Sequence, residues 1–460
     1  MNKKDIEELE IVKKAIQNHV PALAGFLNCN KRIQEYSADL YKNHVSDFYV
    51  ERQKIMKKII KRQCVELFGE EAKNFKLNLD GPIVANMVDH NGILNNPILL
   101  SSHLITSASN LFDSKFDILS LNTALYPFNS VFYKRGLGYK EKTLTFISKS
   151  KSHQLVYYAK PLNFENYPKE IKDSLENINV EDCEYAWQQA AKINYRIWPR
   201  LFNEELRSKL PKLITLNQDE IVRALLLNII KEKNSFVYDA ILDPIFREEI
   251  ESVFMGTTGA WSENSSSGSF LFWTVDDRNQ AVGLKQEGNF LVSSKEGFDY
   301  KVELSDVEIV KAIEERQIYA GMVLLFAALL FYTGMVPLSG YGSINYLNIM
   351  KEGWLKLLKN KYPEEYLGIS NMKIDKLVGG PVLTYYRDEK KEIKSAFMLD
   401  VLMSGGLSRE YLENIFSMNF NDLLLPAFID VYNSYVPKKN RQKISITADD
   451  IISEQLAWLK

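Results

Sequence analysis

Between residues 82 and 121 the chain runs through an apolar stretch, a polar turn, a capped helix start and a second apolar stretch. That order leaves few folds open. Pro82-Ile83-Val84-Ala85-Asn86-Met87-Val88 is uncharged and of strand length, and Asp89-His90-Asn91-Gly92 has turn composition. Asn95-Asn96-Pro97 then offers an Asn cap with Pro in the first helical turn, which predicts a helix to about Asn110. Phe116–Leu121 is a second strand candidate. A strand, a crossover helix and a strand within about 40 residues form a βαβ unit, and such a crossover implies a parallel pair. The expected fold class is therefore α/β, with a Rossmann-like core and a parallel sheet, extensive helical additions and a small antiparallel β insertion.

The flanking segments supply those additions. Residues 1–78 read as helices, with Ile55, Met56, Ile59, Ile60 and Cys64 at helical spacing and Lys and Arg on the other faces. The α/β core is placed at 79–163, where Thr143–Ile147 and Leu155–Tyr158 look like further strands. Residues 164–255 return to helical periodicity. Residues 256–304 carry a Gly/Ser-rich stretch and then short alternating runs around Asp276-Asp277-Arg278-Asn279, which predicts an antiparallel meander. Residues 305–460 read as mainly helical, with a last helix starting at Thr447 and Asp450 completing a capping box.

Composition narrows the class of function. Lys and Arg number 57 against 59 Asp and Glu, a net charge of −2, which argues against broad binding to nucleic acid or to an anionic membrane surface. Cys29, Cys64 and Cys183 lie far apart and match neither a disulfide framework nor a zinc spacing, so no metal is expected and a reducing cytoplasm is the simplest compartment. The opening residues carry no apolar signal region. One segment pulls the other way. Ile318–Leu338 is uncharged, mostly apolar and about as long as a bilayer span. Gly334 and Pro337 interrupt it, however, and favour a buried helix ending near Thr333.

Ligands of open α/β sheets sit beyond the carboxyl ends of the parallel strands. That rule puts Asp89 and His90 at the edge as candidate catalytic residues, the carboxylate orienting an imidazole that serves as acid or base near neutral pH. Asn91, Gly92, Asn95, Asn129 and Ser130 are candidate substrate contacts, and Arg135, beside Lys134, is a candidate for a carboxylate or phosphate. Free amides at the start of the helix would favour an anionic group. An ordinary strand-to-helix turn uses the same residue types for capping, which is the structural alternative. His103, on the helix, reads as a core or surface histidine. The glycine-bearing stretches Gly256–Ser269 and Ser339–Ser343 are further candidates for contact with a ligand, or with a neighbouring element.

The run from Asp89 to Ile98 resembles the phosphate-side loop and helix start of the bacillithiol-pathway enzymes proposed to add cysteine. The likeness lies in Gly92, the apolar Ile93 and Leu94, and Pro97 at the helix opening. It covers about residues 81–130, and Asp89 and His90 stand where that loop carries polar amides. It implies a Rossmann-like core with long helical additions, and a ligase or transferase acting on a small polar substrate. The expected function is thus an enzyme binding a small anionic or polar molecule, a nucleotide included, near Asp89 and His90. The rival is a non-catalytic interaction or regulatory protein working through its helical surfaces. The sequence names no cofactor and no oligomeric state.

Overall fold

A computed structural model describes residues 3–43, 46–90, 92–130, 134–163, 183–257, 270–452 and 457–459, with 169, 172 and 261 besides. Five strands build a central sheet, all parallel: β1 (Val84–Asn86), β2 (Ile118–Asn122), β3 (Leu213–Asn217), β4 (Val336–Gly340) and β5 (Leu377–Gly379). Their order across the sheet is 5-4-1-2-3. The chain starts in the middle, adds two strands on one side, then returns to add two on the other. β1 is paired on both edges, with Val84 opposite Val336 and Asn86 opposite both Leu338 and Ser120. β2 and β3 pair along their whole length, from Ile118 opposite Leu213 to Asn122 opposite Asn217.

Pro337 sits inside β4, where a missing N–H would normally break the ladder. The pleat resolves this. The amide of Val336 donates to Ile83, whereas the amides of Pro337 and Ser339 belong to the other edge. On that edge β5 begins opposite Ser339, whose amide donates to the Lys376 carbonyl. The absent donor of Pro337 falls just before the partner strand starts.

Side chains alternate between two cores. Ala85, Leu119, Leu121, Ile214 and Leu216 face one, while Ile118, Leu213, Leu338 and Leu377 face the other. The second face changes character along the strands. Ile118 gives way to Ser120 and Asn122, and Leu213 to Thr215 and Asn217, all buried. Asn86 belongs to this polar layer. Its Nδ2 donates to Ser102 Oγ at 3.2 Å and Thr106 Oγ1 at 3.0 Å on the helix Pro97–Ser107, and its Oδ1 accepts from the Val88 amide at 3.0 Å. Asn96 caps that helix by accepting from the Ile98 amide at 2.9 Å, as its sequence predicts.

The meander is present as Phe272–Val275, Ala281–Glu287, Phe290–Ser293 and Lys301–Glu303, all antiparallel. Ile318–Ala320 pairs antiparallel to its first strand. The apolar segment is therefore divided: this strand, a helix from Met322 that continues as a π-helical turn to Tyr332, and then β4. Among the described residues no helix is long and apolar enough to cross a membrane. Its burial against the other elements of the chain accounts for the lack of charge: Ala327–Phe331 have no exposed surface.

Some local expectations are corrected. The strand expected at Thr143–Ile147 is present as Lys142–Thr145, hairpinned to Gly136–Tyr139, whereas Val156–Tyr158 is a 3-10 turn and not a strand. Thr447 does contact Asp450 through its amide and hydroxyl, yet no helix follows among the described residues, which end in a strand, Ala457–Leu459. The sheet also draws on more of the sequence than 79–163, since β3 comes from the 164–255 segment and β4 and β5 from beyond 305. Asn86→Leu should lower unfolding stability by about 1–3 kcal/mol, measured by urea denaturation, because it strips the Val88 amide and two buried hydroxyls of a partner. Wild-type stability in that variant would refute a structural role for the polar layer.

Candidate functional site

The carboxyl ends of all five parallel strands open on one cavity of about 780 Å³. β1 contributes Met87 to His90, β2 Thr123 and Leu125, β3 Gln218 and Asp219, β4 Ser339 to Ser343, and β5 Gly379. Trp273 from the meander, Tyr319, Tyr346 and Tyr435 close the remaining walls. β1 and β4 are the neighbours at which the strand order reverses, so the helices that follow them leave on diverging paths and a crevice must form.

Small residues let the walls meet there. A Cβ on Gly379 would lie 2.4 Å from Val88 Cγ1, and one on Gly342 would lie 2.6 Å from the Tyr435 hydroxyl. Gly342 thus admits a neighbouring chain element closely at the start of the helix Tyr341–Lys361, whereas a Cβ on Gly340 would meet nothing nearer than 3.7 Å.

Two carboxyls are buried in this site. Asp219 is 7% exposed, in the first turn of the helix Gln218–Glu232, where Asn217 caps by accepting from the Asp219 amide. Its carboxylate accepts from the Ala124 amide at 2.7 Å and the Thr123 hydroxyl at 3.2 Å. Burial nevertheless pushes the Asp219 carboxyl up to about 7. Asp89 is 3% exposed. Neither of its oxygens has a hydrogen-bond partner, and the nearest cation candidate is His103 Nε2 at 3.7 Å, too far for a direct hydrogen bond. Burial raises its carboxyl as well. A third carboxyl, Asp430, is exposed at the mouth.

His90 stacks against Tyr126 with ring centroids 4.1 Å apart, and burial lowers its imidazole to about 4. The expectation of an imidazole titrating near neutral pH is therefore corrected: His90 is neutral there, and the group poised near neutrality is Asp219. Ser339, 1% exposed, borders the cavity and its hydroxyl is buried without a partner.

Of the residues singled out from the sequence, the cavity gathers Asp89, His90 and the Ser339–Ser343 stretch. Gly92 and Asn95 are buried elsewhere: the Gly92 carbonyl accepts from Asn194, and Asn95 Oδ1 accepts from the Gly138 amide at 2.8 Å. Asn129 is exposed and pairs with His153 at 3.4 Å, and neither it nor Ser130 lines the cavity. Arg135 is away from it too, at a left-handed turn with φ 65° whose amide bonds to Phe128. Asn91 and most of Gly256–Ser269 lie outside the described residues. Among the described residues no Lys or Arg lines the cavity, and no three of His, Cys, Asp and Glu form a group able to hold a metal ion.

Asp219 was the omission. Leu213-Ile214-Thr215-Leu216 followed by Asn217 is a legible strand-to-cap signal, hidden inside a stretch read as uniformly helical. A scan against protein-family models matches none of them, and a search of curated proteins finds no match.

Asp219 fixes a pH dependence whose sign can be worked out. Its unfolded carboxyl titrates near 4, so between about pH 4 and 7 the folded chain holds a proton that the unfolded chain has released. Stability from this group falls as pH rises through that window. His90 acts oppositely, its contribution growing between about pH 4 and 6.5. Asp219→Asn should therefore gain in melting temperature relative to wild type on going from about pH 5 to pH 8. A difference that stays constant across that range would contradict the raised carboxyl.

Proposed function

We propose that the chain is an enzyme with a Rossmann-like core that binds a small polar molecule in the cavity at the strand ends and acts on it by proton transfer at Asp219. The observation that carries this reading is a cavity of about 780 Å³ at the reversal of strand order, bordered by Asp219, whose carboxyl burial pushes up to about 7. A general acid or base works best when its pKa lies near the operating pH, and burial is how a carboxyl reaches that value. The order 5-4-1-2-3 matches the first five strands of the doubly wound dinucleotide-binding sheets, which supports the Rossmann-like description. A volume of about 780 Å³ suits a molecule of nucleoside or cofactor size.

Ligase or group-transfer chemistry is the class we favour. Such reactions need a nucleophile relieved of its proton in a site that excludes water. Asp219 is suited to take that proton, and neutral His90 to accept a hydrogen bond from the substrate.

A thermal-shift panel of nucleosides, nucleotides, amino acids, amines and sugar phosphates tests the reading. At least one class should raise the melting temperature by several degrees, since a ligand at about 100 times its Kd adds about 2.7 kcal/mol. Ser343→Trp, which fills the cavity, should cancel that gain. With the ligand in hand, Asp219→Asn should lower turnover about 10²-fold or more. If no class shifts the wild-type chain, the cavity reading fails and the helical surfaces become the working part.

A further inference from the structure

The cavity wall has a charge pattern that selects among polar ligands. Three of its side chains are carboxylic, Asp89, Asp219 and Asp430, while no Lys or Arg among the described residues lines it. The starts of three helices, Pro97–Ser107, Gln218–Glu232 and Tyr341–Lys361, border it, and each contributes the partial positive charge of its free amides, worth about half an elementary charge. Against three ionised carboxyls an anion still faces more negative than positive charge, and protonation of Asp219, raised to about 7, narrows that difference. Asp89 is the sharpest feature. It is 3% exposed, it borders the cavity, and neither of its oxygens accepts a hydrogen bond. A buried carboxyl without donors is costly, and an ion with N–H donors would remove that cost. Its other neighbour, His103, is buried and stands 3.7 Å away with no hydrogen bond to it. The same cavity has aromatic side chains in its walls: Trp273, Tyr319, Tyr341, Tyr346 and Tyr435. Ring faces attract a cation through their quadrupole, most strongly where water is excluded.

We infer that the molecule bound in this cavity carries a protonated amine, seated on Asp89 and enclosed by the aromatic walls. The inference rests on the cavity being a ligand site, as proposed above, and adds the charge of the ligand. No proton or bond changes hands in this step. Both Asp89 oxygens are closed to water in this structure, so the side chain turns toward the cavity to accept the ammonium N–H donors, and the two charges balance.

Tyramine and tyrosol make a matched pair of probes, identical except that one ends in an ammonium and the other in a hydroxyl. Titration calorimetry on the full chain near neutral pH should show tyramine binding at least about ten-fold tighter. Asp89→Asn, nearly the same in shape, should reduce that preference to about two-fold or less. Asp430→Asn, at the exposed mouth, should leave most of it. Should Asp89→Asn fail to fold, the wild-type comparison decides alone. Equal binding of the two probes, tighter binding of tyrosol, or no binding of tyramine overturns the inference. So does a preference that survives Asp89→Asn. It would mean that His103, not the ligand, supplies the countercharge of Asp89. Tighter binding of inorganic phosphate than of tyramine also overturns it. In each of these cases a positive thermal shift from another ligand class would leave the cavity reading intact. Loss of all shifts would sink both.

Discussion

β1 has three residues, yet both halves of the sheet hang from it. It is laddered to β4 on one edge and β2 on the other, so its position fixes where the strand order turns and where a crevice must open. Such a short strand cannot hold this place by backbone pairing alone. Asn86 ties its end to the helix behind it and, through its own Oδ1, to the Val88 amide where the chain leaves the sheet. The site's first residues, Met87 to His90, are thus set by a buried polar contact one turn beneath them. Hydrogen bonds of this kind add little net stability, but each is expensive to leave unmade. That asymmetry specifies one register for β1 where apolar packing would tolerate several.

Much of this was readable in the sequence, and the readable parts share a cause. The run from Pro82 to Leu121 gives its signals locally: an apolar stretch, an Asn cap, Pro in the first turn. Strand, helix and parallel strand all follow from neighbours within a few residues. β3 and β4 were missed because each is a short apolar strand joined directly to a helix, and periodicity cannot separate the two in five residues. For β4 the difficulty was greater, since Pro337 argues against a central strand until the start of β5 is known. Asp89 and His90 were found because strand ends can be counted. Asp219 was lost along with β3. Asn129, Ser130 and Arg135 were placed near the edge on the assumption that the chain after β2 stays there, whereas it leaves for a hairpin held by local turns.

The two titrating groups of the site have exchanged their customary roles. In water an imidazole is the group that changes charge near neutrality and a carboxyl is already ionised. Burial here disfavours the charged form of each, which raises one and lowers the other: Asp219 to about 7, His90 to about 4. A single physical cause therefore separates a carboxyl able to hold or release a proton from an imidazole that stays neutral. Sites that run acid and base chemistry with few groups are built on such a separation. It carries a cost in stability, since near neutral pH Asp219 must on folding either take up a proton or stay ionised where burial disfavours its charge. All five strand ends converge on a space bordered by two buried carboxyls, and under the proposed function that cost is what a proton-transfer site requires.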